Sequence, residues 1–600
     1  MCGIYISNII SEESLAINNL KKISYRGPDN LSVEKHEDIM IGHLRLSIID
    51  TKNRSNQPFH YNNFILTFNG EIYNFEEVRE ELKKYHEFKT NSDTEVLVVG
   101  YSIWGEKILD KINGMFSFAI YDKKTKDIFA ARDRLGVKPF YYYYDSGKFE
   151  ICSQLQPFSV DKKISKKSLS IYYDLGYVPS PYSIFENINK LKPGHFLKIN
   201  SVNNSISIVK YWDLEKTKII KNKNESLNLI EKLIKDAVDI RLKCDVAMGA
   251  FLSGGVDSSI VSLYASKTKK NLETYTIGFE EVNFDESDSA QNISRQIGLK
   301  NNISLCKEKK MFNQIENLFD IYDEPFADSS AIPSLQVNEL VKNDVTVVLT
   351  GDGGDESFFG YNHFKWLKYV NFIFIIFPLF IRKILSNFLK IINKFINSKR
   401  LFFTQKILIL KCIDDFIVTI FCGFDRLSIS KCDDWFNDNY KEYLNLSDNI
   451  YQKAADLNIK LWLENDSNVK TDRASMGNSI ELRSPFLDFK LIKGLRNVKY
   501  CLRKNKLPLR NILKNNNIIS NSFTKKKGFS VPMKKWINGP LKDDVLEHLN
   551  DFFIDSLPDF DGTKFKIMLE EHYDDKNDYT YFIWRVYVLS KWMTKNGIKF

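Results

Sequence analysis

VAMGAFLSGGVDSS, residues 246–259, runs an apolar stretch straight into glycine, serine and aspartate. VAMGAFLS (246–253) reads as a strand, and a helix is expected behind it. Glycines at such a junction let backbone N–H groups approach a phosphate closely, and the helix start aims its positive end at the same anion. Ser253, Ser258 and Ser259 add hydroxyl donors, and Asp257 is suited to a magnesium ion. Without a function, the same residues make a serine-rich turn. No GxxxxGK[ST] occurs in the chain, which excludes the loop of NTPases that cleave the γ-phosphate.

Working outward, two more strand-like runs follow, LETYTIGF (272–279) and VTVVLTG (345–351), with helix-like segments between them. That alternation predicts a parallel sheet with helices on both faces, whose ligands bind at the carboxyl ends of the strands. The third run ends in TGDGGDE, a second glycine–acid loop carrying Asp352, Asp355 and Glu356 for metal binding or proton transfer. Upstream, Leu227, Ile230, Leu233, Ile234, Ala237 and Val238 recur at helical spacing. The last third reads as mostly helical.

Residues 2–200 differ. IMIGHLRLSIID, FILTFNGEIYN, FSFAIYD, DIFAARD and PFYYYYD are short β-like runs separated by turn residues, as in stacked antiparallel sheets. NFEEVREELKKY (74–85) is a helix among them. A polar stretch near 200–224 reads as a linker, so the domains are expected at 2–210 and 225–600. A chain of 600 residues exceeds one ordinary core.

Composition narrows the class. Hydrophobic residues at 43% and charged residues at 27% exclude a disordered chain. A net charge of +9, dilute over this length, offers no concentrated basic patch for nucleic acid. The eight cysteines form no CxxC pair, and no signal peptide is seen, so a reducing cytoplasm is expected. NFIFIIFPLFI (371–381) is about half the length of a membrane span and holds Pro378. It is expected to be a buried helix rather than a membrane insertion. Surface contact with a membrane by it and the basic IRKILSNFLKIINKFINSKR behind it stays open.

SGGVDSS resembles the pyrophosphate loop of the PP-loop ATPases. Together with TGDGGDE, DEPFADSSAIPS (323–334), DRASMGNSIELRSPFLD (472–488) and KKKGFSVP (525–532), it resembles the glutamine-hydrolysing asparagine synthetase family. The resemblance implies a two-domain α/β protein: an N-terminal Ntn-hydrolase αββα sandwich, then a PP-loop domain with a parallel sheet and a helical C-terminal part. MCGI, YRGPD (25–29), HLRLSIID (43–50), NGEIYN (69–74) and SDTE (92–95) fit the family's type-2 glutamine amidotransferase domain.

The resemblance makes Cys2 the nucleophile after Met1 is removed. A free thiol is mostly protonated at neutral pH, but an α-amino group with a pKa of about 8 is a local base. One residue then supplies nucleophile and base. Arg45 is suited to the α-carboxylate of glutamine through its planar fork, or else to a strand-edge salt bridge. Asn69 and the Gly70 N–H are expected as an oxyanion hole, although Asn-Gly is also a common hairpin turn. Glu71 and Asp93 are expected at the glutamine amino group.

For the second domain, the resemblance places ATP against Leu252, Ser253, Gly254, Gly255, Asp257, Ser258, Ile277, Thr350 and Gly351. It places Mg2+ on Asp257 and Asp355, and makes Lys526 the lysine that stabilises charge in adenylation and amide formation. Without that role, Lys526 belongs to a solvated basic loop. Family members commonly carry GEGSDE where this chain has GDGGDE, so Asp352 stands as a shorter catalytic acid or base. Aspartate is the leading acceptor, with a peptide or sugar-acid carboxylate as the alternative. Partners are therefore glutamine, ATP and a carboxylate, with the homodimer as an option the family brings. A non-catalytic assembly protein, an RNA-modifying PP-loop enzyme and a phosphoribosyl amidotransferase fit fewer of these motifs.

Overall fold

The computed structural model describes all residues except 1, 201–202, 280–284, 307, 397, 425, 430–433, 525–530 and 599–600. Among the described residues, two six-stranded antiparallel sheets come from the first 210. One runs Ile188–Lys190, Tyr141–Asp145, Lys148–Cys152, Gly3–Ser7, Ile39–Arg45, Asn30–His36. The other runs Ser205–Lys210, His195–Asn200, Asp127–Arg132, Gly114–Asp122, Phe64–Ile72, Phe59–Tyr61.

Period-two alternation explains how the sheets stack. In Gly3–Ser7, Ile4 and Ile6 meet Ile65, Ala119 and Ile128 of the facing sheet in one core. Tyr5 points the other way, into a core shared with Ala16 and Leu20 of the helix Glu13–Lys21. On the outside of the second sheet, Leu66 and Phe68 pack with Val78 and Leu82 of the helix Phe75–Leu82 and with Val96 and Leu97 of the helix Asp93–Trp104. The result is the expected four-layer αββα sandwich.

After residues 211–222, which form no helix or strand, the helix Lys223–Asp239 buries Ile230, Ile234, Ala237 and Val238. A parallel sheet follows in the order Lys300–Cys306, Glu273–Phe279, Met248–Phe251, Val347–Leu349, Glu481–Arg483. Val347 and Leu349 enter one core and Val348 the opposite one, so both faces are covered. Three of the five strands match the expected runs. Lys300–Cys306 is rich in polar residues, and Glu481–Arg483 spans only three residues, which hides both from pattern reading.

The expectation for residues 371–381 is overturned. The chain there breaks at Pro378 into the helices His363–Ile376 and Leu379–Ile396, bent by 115°. Phe372, Ile375 and Phe380 are 63%, 74% and 65% exposed rather than buried. The residue before a proline disfavours helical geometry, so one long helix cannot form. Among the described residues no single helix is long and apolar enough to cross a membrane.

Candidate active sites

Cys2 immediately precedes the strand Gly3–Ser7 and is buried. Its backbone N–H donates to Asn69 Oδ1 at 2.9 Å, and its Sγ lies 4.0 Å from the Leu46 carbonyl oxygen. Burial pushes the thiol above its ordinary value, while the Arg45 guanidinium works to lower it. Asn69 and Gly70 sit inside the strand Phe64–Ile72, with Gly70 paired to Phe116. The hairpin-turn reading of Asn-Gly is thereby excluded. Gly70 has φ +153°, and a Cβ there would fall 2.1 Å from the Met115 carbonyl oxygen, so only glycine fits. Asn69 Nδ2 reaches the Ser117 hydroxyl at 3.4 Å.

Arg45 turns its fork into the loop that follows it. Its Nη1 donates to the Lys52 carbonyl at 3.0 Å and Asn56 Oδ1 at 2.8 Å, and its Nη2 to the Asp50 carbonyl at 2.6 Å. Asp93 caps the region from the start of its helix and accepts from the Ile72 N–H at 3.0 Å. Burial pushes its carboxyl up to about 6.

The second site lies at the carboxyl ends of two adjacent parallel strands, Met248–Phe251 and Val347–Leu349. The Ser253 and Ser258 hydroxyls are 3.2 Å apart, and Ser259 Oγ donates to the Gly255 carbonyl at 2.6 Å. Gly255 precedes the helix Val256–Thr268, so the loop stands at a helix start as expected. The acidic loop closes onto it: a Cβ on Gly354 would lie 2.7 Å from Asp257 Cγ. Asp257 and Asp355 converge on one cation, the Lys506 ammonium. It pairs with Asp257 Oδ2 and lies 2.7 Å from Asp355 Oδ1. Burial works to lower the Lys506 value, but the two carboxylates outweigh it and hold the ammonium well above its ordinary range. Hard carboxylate oxygens facing a common positive centre fit Mg2+.

Thr350 donates through Oγ1 to Asp352 Oδ2 at 2.9 Å, and burial raises the Asp352 carboxyl. Leu252 is buried and its N–H donates to the Tyr275 carbonyl at 2.9 Å. Gly351 abuts the Ser258 backbone, and Ile277 lies on the neighbouring strand Glu273–Phe279. Lys526 lies outside the described residues. Ser522, four positions ahead of it, donates to the Gly254 carbonyl at 2.7 Å.

Residues 1–212 match the family model of a glutamine amidotransferase domain, and residues 229–594 match that of asparagine synthase. The chain belongs to the asparagine synthase family.

As an asparagine synthase family member it is an ATP-dependent ligase with glutamine amidotransferase character. A Methanocaldococcus jannaschii relative, named among the glutamine-hydrolysing asparagine synthetases, is 38% identical over 60% of this chain and 76% of its own. Asparagine synthetase 1 of Bacillus subtilis is 29% identical over 99% of this chain and 97% of its own. An amidase of Penicillium rubens, chyE, is 30% identical over 58% of this chain and 55% of its own.

In this family member the two halves are joined by buried charges. Arg26 donates from Nε to the Cys2 carbonyl at 3.1 Å and grips Asp472 with both Nη atoms, at 2.8 and 3.1 Å. Asp472 also accepts from Arg473 at 2.7 Å, and Arg473 donates to Asp323 at 2.8 Å. Arg483, fully buried on the edge of the parallel sheet, donates to Glu71 Oε2 at 3.0 Å and Glu481 Oε1 at 2.6 Å. Glu71, expected at the glutamine amino group, therefore commits one oxygen to the other domain. Burial pushes its carboxyl well above the ordinary range, against the pull of Arg483.

Sequence reading assigned no role to Arg26, Asp472, Arg483 or Lys506. The first three lie inside YRGPD and DRASMGNSIELRSPFLD, quoted only as family marks. Lys506 is one lysine in CLRKNKLPLR with no pattern around it.

Proposed function

We propose that the chain is a glutamine-hydrolysing asparagine synthetase. The observation that carries this reading is the link from the Cys2 carbonyl through Arg26 to Asp472, which ties the candidate nucleophile to the ATP-binding half.

In this reading Met1 is removed, and the Cys2 thiol gives its proton to its own amino group and attacks the amide carbon of glutamine. Asn69 and the Gly70 N–H stabilise the oxyanion. Arg45 and Asp93 hold the carboxylate and ammonium of glutamine, with Glu71 as an outer partner through Arg483. Water then releases glutamate, and the ammonia passes within the protein to the second site.

There the serine–glycine loop holds the phosphates of ATP, with Leu252, Ile277, Thr350 and Gly351 around the nucleotide. The acceptor carboxylate attacks the α-phosphorus and pyrophosphate leaves. Mg2+ on Asp257 and Asp355 would neutralise charge on the departing pyrophosphate. Lys506 orders those two carboxylates. Lys526 stabilises the charge that develops on the acyl-adenylate, and Asp352 takes a proton as ammonia displaces AMP. The cytoplasm and its reducing conditions suit a free Cys2 thiol.

Aspartate is the acceptor in this reading. Asp352, a shorter acid than the family's common glutamate and bonded to Thr350, favours a second reading in which a different carboxylate is amidated. A product assay separates them. Purified protein with glutamine, ATP, Mg2+ and aspartate is expected to yield asparagine and AMP in equal amounts. Glutamate without asparagine would exclude aspartate and leave the second reading.

A further inference from the structure

From His363 to Lys411 the chain has ten lysines and arginines and no acidic residue. It folds as the helices His363–Ile376, Leu379–Ile396 and Lys399–Leu408. A surface helix of a soluble protein turns its apolar stripe inward. Leu379–Ile396 does the reverse. Its buried positions are Arg382 and Ser386, while Phe380, Ile384, Phe388, Ile391 and Phe395 form an outward stripe, each between 58% and 85% exposed. Lys383, Lys390 and Lys394, all exposed, line one edge of that stripe at helical spacing. Trp366, Tyr369 and Phe372 extend the exposed apolar surface along the preceding helix.

The shape is built rather than loose. Arg382 donates to the carbonyls of Phe377, Leu408 and Leu410 at 3.0, 3.1 and 2.7 Å, stapling the break at Pro378 to the end of the third helix. Ser386 donates to the Gln405 carbonyl at 3.0 Å, and Gln405 to that of Leu389 at 3.1 Å. Phe364, Leu367 and Val370 anchor the base in a helical core with Phe416 and Ile417.

We propose that this helical hairpin lays its apolar stripe into the surface of an anionic lipid bilayer. An apolar stripe edged by lysines and bearing exposed aromatics is the pattern of an interfacial helix, and lysine stems reach along the apolar layer to anionic headgroups. The acid-free run supplies the charge complementarity. Neither helix, of 14 and 18 residues, is by itself long and apolar enough to cross, and the 115° bend between them suits helices that lie along the surface. The proposal stands apart from the identity of the acceptor.

Flotation of the full-length protein with vesicles tests it. At low salt the protein is expected to float with equal parts phosphatidylglycerol and phosphatidylcholine, and at least about tenfold less with phosphatidylcholine alone. Lys383→Glu, Lys390→Glu and Lys394→Glu together are expected to lower partitioning by about a hundredfold. Phe388→Ser with Phe395→Ser is expected to lower it by about tenfold or more. Both variants change exposed side chains, and ATP turnover in solution is expected to stay unchanged. Failure to float with anionic vesicles overturns the proposal, as does binding that both variants retain in full. A solution dimer that both variants break, without any lipid binding, would assign the surface to a second copy instead.

Discussion

Arg26 and Asp472 face each other across the domain boundary in a two-pronged ion pair at 2.8 and 3.1 Å, with both side chains out of solvent. Arg26 also holds the Cys2 carbonyl. The pair therefore does two jobs with one guanidinium. It joins the halves and fixes the backbone that carries the candidate nucleophile.

Asp472→Asn keeps the shape and removes the charge. Breaking one partner of a buried pair costs about 3–5 kcal/mol, so the denaturation midpoint is expected to fall. Glutaminase activity is expected to fall further than ammonia-dependent synthesis, because only the former needs Cys2 in register. Equal losses in both would detach Arg26 from the glutamine site.

Cys2→Ala is expected to abolish glutamine hydrolysis while amide and AMP formation from added ammonia persist. Mass spectrometry of the wild-type protein is expected to show a chain lacking Met1. Loss of the ammonia-driven reaction in the variant would refute two separable sites.

Lys506→Met takes away the cation shared by Asp257 and Asp355. The two carboxylates then repel, and the melting temperature is expected to fall by about 5 °C. Millimolar Mg2+ should recover much of that loss without ATP. If Mg2+ has no effect on melting, these two acids are not a metal site.

Asp93 sets a pH dependence. Its folded value is raised to about 6 by burial, so the carboxylate that would hold the glutamine ammonium is lost as pH falls through that range. The KM for glutamine is expected to rise by up to about tenfold per pH unit below 6, with kcat for ammonia unchanged over the same window. For stability the sign is opposite. The folded state binds this proton more tightly than the unfolded chain, so the contribution of Asp93 weakens as pH rises from about 4 to 6. A flat KM profile would remove Asp93 from the glutamine site.

Gly70→Ala would place a methyl 2.1 Å from the Met115 carbonyl oxygen. The strands Phe64–Ile72 and Gly114–Asp122 must part locally, at a cost of about 1–3 kcal/mol. Glutaminase activity is expected to drop by at least about a hundredfold, measured against an unchanged ammonia-dependent rate.

Local chemistry made much of this protein legible in its sequence. Short runs such as FILTFNGEIYN, FSFAIYD and DIFAARD, set apart by turn residues, announced stacked antiparallel sheets. LSGGVDSS and TGDGGDE announced a site at strand ends, because glycine there serves backbone approach and nothing else in the core needs it. Such signals are read over a few neighbouring residues.

What stayed hidden depends on partners hundreds of positions away. No motif announced that Glu71 also accepts from Arg483, 412 positions along the chain. Lys506 had no motif, and only folding sets its ammonium between Asp257 and Asp355. Residues 371–381 looked like core, because apolar content tells how strongly a segment avoids water and not which neighbour covers it. The sequence alone determined three of the five parallel strands, the two glycine-rich loops at their ends and the order in which they come. The tertiary structure decided which charges pair across the domains and which apolar faces remain outside, since burial and ion pairing are properties of distance in space.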